Sequence, residues 1–557
     1  MKMQHKLKDS IPIWLIYILL GILILAPLFM IFQRSVYHNG VLDFTYAFYT
    51  ISRPENIQTI INTIVLSTAV VILSTVIALP AAYLTARTSI ARHKWLDIVL
   101  MIPFMTPPFI SSMGWILFTQ RRGLFQQLFP FTGEWSEGFI SFLGLALVMS
   151  FHLYPFMLTI LKNALLNIGT NLEESATIFG GTFGYNLRRV ILPLVTSAYA
   201  VGALLVFIKA ASEFGTPATI GRRIGYRVFV TEIHNSATIA PINFGRAASL
   251  SAVLIGICLF VWWIQNYISM KKSYQLVGGK GSRFQVTELK GLSAVAAWAY
   301  IIILLVVSIG VPYFSTITTS LINLRGLGLA RGNFTFNHYI NLFTANPRGI
   351  QAFQNSLFLG LVSATATTLV GILCATIIHR YKTKFGKGVQ VVGLLPDMLP
   401  SIVMVIAIML FWNAIFHIAP LYNTIWILVI AYCALFLPFP IQSITAAYSQ
   451  ISDNLVSAGK VFGGQSSYIF RRITFPLLFR SILYGWMMTF IIAFRELVTA
   501  SIIAPPNTLV VSTFIMREFE QGSVSVGMAM AVITVIFTTG LLIFINNVLM
   551  KDRRTSK

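Results

Sequence analysis

Twelve apolar runs, each close to twenty residues long, constrain this chain more than any other feature. They cover approximately 11–33, 57–84, 96–118, 139–161, 194–212 and 243–268, then 292–314, 353–378, 390–416, 422–445, 477–499 and 525–550. A hydrocarbon layer of ~30 Å is crossed by ~20 helical residues rising ~1.5 Å each. Inside that layer no water can satisfy a bare backbone, so such runs must close their hydrogen bonds as helices. Composition agrees: the 557 residues are 56% hydrophobic and only 10% charged, against about 25% charged for a soluble domain. The expectation is an all-α membrane protein with twelve transmembrane helices, not a globular enzyme.

The net charge of +23 would suit a nucleic-acid partner, but the basic residues lie between the apolar runs. A positive-inside bias explains them better. With the N-terminus inside, the cytoplasmic segments are the first tail, 85–95, 162–193, 269–291, 379–389, 446–476 and 551–557. They hold fifteen of the sixteen lysines, and Lys209 near the outer end of span five is the exception. Both ends are therefore expected in the cytoplasm. The first run reads as a transmembrane helix flanked by Lys2, Lys6 and Lys8, and no cleavable signal peptide is evident. Cys258, Cys374 and Cys433 all fall inside apolar runs without metal-ligand spacing, which predicts small buried packing residues.

The chain is also an internal duplication. Asn62, Arg87, Pro103 and Pro107 recur as Asn355, Arg380, Pro396 and Pro400, each 293 residues later. Pro155, Gly180, Arg188, Pro193 and Glu213 recur as Pro438, Gly463, Arg471, Pro476 and Glu496, each 283 later. The difference of ten places an insertion in the first half's outer loop, Thr119 to Gly138. The expected division is a six-span half at 1–274, a polar, glycine-rich cytoplasmic linker at 275–291, and a second half at 292–557. Six is even, so both halves enter the membrane from the same side. The repeats are then parallel, related by a pseudo-twofold axis along the membrane normal.

The duplicated stretch at 174–193 and 457–476 is polar, cytoplasmic and rich in small residues, as a docking element for a symmetric partner would be. It reads E-S-A-T-I-F-G-G-T-F-G-Y-N-L-R-R-V-I-L-P in the first copy and S-A-G-K-V-F-G-G-Q-S-S-Y-I-F-R-R-I-T-F-P in the second. This resembles the E-A-A-x-x-x-G, nine residues, I-x-L-P motif of permease subunits of bacterial ATP-binding-cassette importers. The first copy matches at Glu174, Ser175, Ala176, Gly180, Val190, Leu192 and Pro193. The second keeps Gly463, Ile473 and Pro476, has Ser457, Ala458 and Gly459 where the first has Glu174, Ser175 and Ala176, and carries Phe475 in place of the leucine.

The resemblance implies the type I importer permease fold, alternating access, and a coupling helix at each motif fitting a cleft in an ATPase subunit. It implies two ATPase copies below, one substrate-binding protein above, and a place in the bacterial inner membrane. The chain has no G-x-x-x-x-G-K-[ST] phosphate loop, since Gly278-Gly279-Lys280-Gly281-Ser282 lacks its spacing. No cofactor is expected on this chain; ATP and Mg belong to the partner. Tyr154 to Leu161, Glu213 to Gly221 and Thr231 to His234 are similar to ferric-iron permeases of the binding-protein-dependent class. Fused thiamine permeases share the architecture, and relatives carry phosphonates, sugar phosphates or polyamines.

Glu213 and Glu496 are the candidate substrate-pathway and metal-contacting residues, because ionisable groups near spans are costly and suggest function. Each lies twenty residues past its motif proline, about 30 Å along a helix, at the outer end of its span. Two carboxylates there could receive a hard cation; ion pairs with Lys209 and Arg495 are the structural alternative. Asp397, whose counterpart is Phe104, reads as a polar contact at a helix kink. The matched prolines predict kinks in spans three and nine. A twelve-span secondary transporter would share the repeat but not the paired coupling motifs. A membrane-embedded enzyme would need clustered His, Asp or Glu at one depth.

Overall fold

In the computed structural model, the described residues are 14–38, 41–168, 178–271, 286–381 and 384–555. Their regular elements are helices apart from an antiparallel pairing of Tyr37–His38 with Val41–Leu42 and two isolated bridges, Thr88 with Thr287 and Ile322 with Phe334. Among them, nine helices are long and apolar enough to cross a membrane, and three bent pairs bring the number to twelve. The continuous spans include Trp14–Val36, Pro54–Arg87, Leu292–Leu321 and Pro347–Arg380. Large apolar side chains such as Ile72, Val76, Ile303 and Ile536 lie on their exposed faces.

The expected kinks in spans three and nine are full breaks. Trp95–Met105 meets Pro108–Thr119 at 88°, and Phe385–Met398 meets Ser401–Ala414 at 110°. A proline disfavours helical geometry in the residue before it. Thr106, ahead of Pro107, is accordingly extended at ψ 132°, and Pro107 and Pro400 themselves sit at ψ 130° and 135°.

Prolines act differently where the helix continues through them. Four π-helical turns, Gly21–Leu25, Leu187–Ile191, Val306–Gly310 and Phe470–Thr474, each end two residues before a proline: Pro27, Pro193, Pro312 or Pro476. Proline has no N–H to offer the carbonyl four residues back. The hydrogen-bond ladder slips by one residue there, which is a π-bulge.

Two compact units result. One comprises Ser52–Glu232 and Gly256–Thr335; the other comprises Met1–Ile51, Ile233–Ile255 and Phe336–Lys557. In the first, span two packs along spans four and five, and span seven lies on Pro108–Thr119. The approach is close enough that a Cβ on Gly114 would stand 2.6 Å from the Pro312 carbonyl oxygen. The hydroxyls of Thr106 and Tyr313 meet at 2.8 Å beside it. In the second unit, span eight packs on span eleven and on Pro438–Tyr448, and span one lies on Ser401–Ala414. The Tyr17 hydroxyl donates to the Phe385 carbonyl at 2.7 Å. Each half's opening span is therefore built into the unit made from the other half's spans, so the units cut across the 1–274 and 292–557 division.

The duplication extends to individual contacts. Asn62 Nδ2 donates to the Arg227 carbonyl and Asn355 Nδ2 to the Leu509 carbonyl, both at 2.9 Å. The Phe229 N–H donates to Thr63 Oγ1 at 2.8 Å, and the Val511 N–H to Ser356 Oγ at 2.9 Å. These hold the segment between the fifth and sixth span of each half against the start of its second. All three cysteines are buried.

Candidate functional site

The second copy of the duplicated motif is a helix, Asp453–Val461, with Ser452 as its N-cap. Its end explains the paired glycines. The Gly463 N–H donates to the Lys460 carbonyl and the Gly464 N–H to the Gly459 carbonyl, both at 3.0 Å. This Schellman closure requires a left-handed residue after the helix, and Gly463 supplies it at φ 78°. A Cβ on Gly464 would stand 2.7 Å from the Gly459 oxygen, so the second glycine serves close approach. Gly180 holds the same conformation in the first copy at φ 83°.

What this turn presents is apolar. Val461 and Phe462 are 83% and 89% exposed, and Ile178 and Phe179 are 81% and 90% exposed. Ser457 and Ala458 are exposed on the same helix, Gly459 is half-buried, and Pro193 and Pro476 lie exposed at the start of spans five and eleven. Glu174, Ser175 and Ala176 lie outside the described residues. The small residues of the motif were its legible part; the protruding groups, Phe179 and Phe462, were not foreseen. Their repetition directly before the glycine pair was the available signal.

The far end of the linker is not loose. The Thr287 N–H donates to the Arg87 carbonyl at 2.9 Å, and its carbonyl accepts from the Ser89 N–H at 3.0 Å. Glu288 forms an ion pair with Arg92. Arg87 is buried, and its Nη2 donates to the Ile168 carbonyl at 2.8 Å. One side chain thus bridges the end of span two to the end of span four.

Glu213 directly follows the helix Leu192–Ser212, and Glu496 lies two residues past Phe475–Phe494. Both carboxylates turn back onto the next helical start. Glu213 Oε1 and Oε2 accept from the Thr216 N–H at 3.0 and 3.2 Å. Glu496 Oε1 accepts from the Val498 N–H at 3.0 Å and its Oε2 from the Thr499 N–H at 2.8 Å. Both are half-buried. An anion at a helix N-terminus satisfies orphan donors and meets the positive end of the dipole. The sequence reading had not anticipated this capping; the repeated E-x-x-T spacing, Glu213 to Thr216 and Glu496 to Thr499, was its trace.

Asp397 sits in the last turn before the break in span nine, and its Oδ2 accepts from Gln442 Nε2 at 3.3 Å. At the matched first-half positions, Phe104 and Thr159 instead line an apolar cavity of about 200 Å³ with Met101 and Phe156. Two histidines of the spans have local partners. His152 Nδ1 meets the Pro103 carbonyl at 2.9 Å, and His379 stacks on Tyr448 at 4.6 Å. Among the described residues no group of three or more His, Cys, Asp or Glu is gathered for a metal.

A duplicated set of apolar spans, each copy with a broken span and an exposed apolar turn at Phe179 or Phe462, has the features of a transport permease. Residues 78–274 and 367–555 match the family described as binding-protein-dependent transport system inner membrane component, and the chain belongs to that family. It is the membrane-spanning permease of an ATP-binding-cassette importer and not itself the ATPase. The chain is 23% identical over 536 residues to the Fe(3+)-transport system permease protein FbpB 2 of Haemophilus influenzae, covering 96% of this chain and 98% of that one. It is 24% identical over 500 residues to the ferric transport system permease protein FbpB of Actinobacillus pleuropneumoniae, covering 88% and 70%. The spermidine/putrescine transport system permease protein PotC of Haemophilus influenzae is 25% identical over 233 residues, 42% of this chain and 88% of that one.

Proposed function

We propose that this permease carries ferric iron inward by alternating access. The observation that carries the reading is the end-to-end likeness to a permease named for Fe(3+) transport, 96% of one chain against 98% of the other. In this reading the halves are related by a pseudo-twofold axis and both termini are cytoplasmic, as the lysine distribution supports. Two ATPase subunits take the Phe179 and Phe462 knobs into their clefts, and a substrate-binding protein delivers cargo from outside. Glu213 and Glu496 stand at the outer end of the path and fix the short helices there. A polyamine is the second reading, favoured by the likeness of part of the chain to PotC.

The test is uptake of radioactive ferric iron by cells expressing this chain with its ATPase and binding protein, competed by excess spermidine, thiamine or phosphonate. ATPase-dependent uptake that ignores all three supports iron. An assembled, ATP-hydrolysing complex without iron uptake removes iron and keeps the importer.

A further inference from the structure

Asp397 stands where a charge is expensive. It lies ten residues along its helix from Lys387, a path of about 15 Å at ~1.5 Å per residue, which the 110° turn of this span tilts away from the membrane normal. Gln442 lies six residues from the inner end of Pro438–Tyr448, about 9 Å by the same rise. Both side chains are exposed, not packed into the protein. A carboxylate facing hydrocarbon is strongly disfavoured, and such groups turn to a protein interior or to water. The neighbouring backbone has the same requirement: the 110° break after Met398 leaves non-helical peptide groups, tolerated inside a membrane where they are buried or line an aqueous cavity.

The fold itself does not ask for this pair. The first half makes the equivalent broken span with Phe104 and Thr159 in the matched positions, and Phe104 packs edge-on against Phe156 at 4.6 Å. A polar pair retained only in the second half therefore answers to something other than architecture.

We propose that Asp397 and Gln442 line the water-filled translocation path within the membrane-crossing segments and form a one-sided contact for a hard cation on its way inward. A carboxylate and an amide supply oxygen ligands, which suit such a cation. The amide of Gln442 fixes the rotamer of the carboxylate through the 3.3 Å bond. This site is contributed by one half alone, unlike the paired Glu213 and Glu496. The cation class rests on the ferric-iron reading; the water-filled path does not.

Two arms test it on the complete complex of this chain, ATPase and binding protein in proteoliposomes. The first places single cysteines at Asp397, Gln442 and Val391 and measures modification by a charged, membrane-impermeant thiosulfonate. The natural cysteines are buried, and Val391 is an exposed apolar residue of the same helix. Asp397→Cys and Gln442→Cys are expected to react at least tenfold faster than Val391→Cys. Equal rates overturn the proposal, whatever the cargo. The second arm compares Asp397→Asn, which keeps an acceptor for Gln442, with Asp397→Glu. The expected result is a more than tenfold loss of iron uptake for Asn, substantial uptake for Glu, and ATP hydrolysis within twofold of wild type for both. Uptake by Asp397→Asn within twofold of wild type removes the cation contact. A wild-type complex that hydrolyses ATP but moves no iron refutes the ferric reading and the cation class built on it, and the thiol arm still decides the path.

Discussion

Replacing Glu496 by alanine separates a capping role from a purely substrate-binding one. The carboxylate accepts two backbone N–H groups at 3.0 and 2.8 Å. A hydrogen bond to a charged acceptor contributes about 1.5–3 kcal/mol. The half-buried position argues for the low end, so the two bonds together are worth about 3 kcal/mol to the start of the helix Val498–Ile503. With about 1.4 kcal/mol per factor of ten, local opening of that helix becomes roughly 100-fold more frequent in Glu496→Ala. Glutamine keeps one neutral acceptor worth about 1 kcal/mol, so Glu496→Gln should open roughly 30-fold more often. Amide hydrogen exchange, followed by mass spectrometry on the complex in lipid nanodiscs, reads local opening directly. The peptide spanning 497–504 should exchange faster in that order, while peptides from span eight stay unchanged. Exchange in Glu496→Ala within threefold of wild type would refute the capping argument; any transport defect would then have to come from substrate contact.

Two further outcomes follow from the geometry. Phe179→Ala and Phe462→Ala each remove a side chain about 90% exposed; burying a phenylalanine in a partner's cleft stabilises by about 1.5–3 kcal/mol, so each variant should weaken ATPase association by roughly ten- to a hundredfold, read by titrating detergent-solubilised permease with ATPase subunits. Unchanged affinity in the double variant would place the interface elsewhere. Cutting the chain between residues 275 and 285 and co-expressing the two pieces should return a co-purifying pair, because span one packs on Ser401–Ala414 and span seven on Pro108–Thr119. Separation of the pieces in mild detergent would show that the covalent linker, not this exchange, holds the halves together.

How legible this molecule was in its sequence depends on what each property is made of. Membrane spans are a bulk property of twenty residues, so hydropathy located the twelve candidate regions. Repetition is a matter of matched letters, and the Asn62/Asn355 and Gly180/Gly463 pairs proved to be matched contacts and matched backbone. Contact partners among spans were not legible. Twelve apolar helices look alike to a hydropathy scan, and only the close approach of Gly114 to Pro312 hints that span seven belongs with span three. The role of Glu213 and Glu496 was half legible: their matched places past the ends of spans five and eleven could be read by counting residues, but the backbone amides whose hydrogen bonds they accept are in place only once the chain turns into another short helix. Asp397 was read as a kink contact because its letter sits between two prolines, and its exposure and its bond to Gln442 needed coordinates.

The prolines show why spacing carries more than identity here. Helices end ahead of Pro107 and Pro400, Thr106 before the first being extended at ψ 132°, and the chain turns through 88° or 110°. Pro193 and Pro476 sit in the second position of a new helical segment, where a missing N–H costs a single ladder bond and the chain absorbs it as a π-turn. The same residue therefore makes a break in spans three and nine and a bulge in spans five and eleven. The breaks interrupt the helices of two candidate membrane spans with non-helical backbone. The bulges follow each exposed apolar turn, so in the proposed docking to an ATPase a push on Phe179 or Phe462 would pass through a turn whose hydrogen bonds are already displaced. Coupling by rigid helices would transmit such a push unchanged. A π-turn can exchange one register for another, and both halves carry it at the same place.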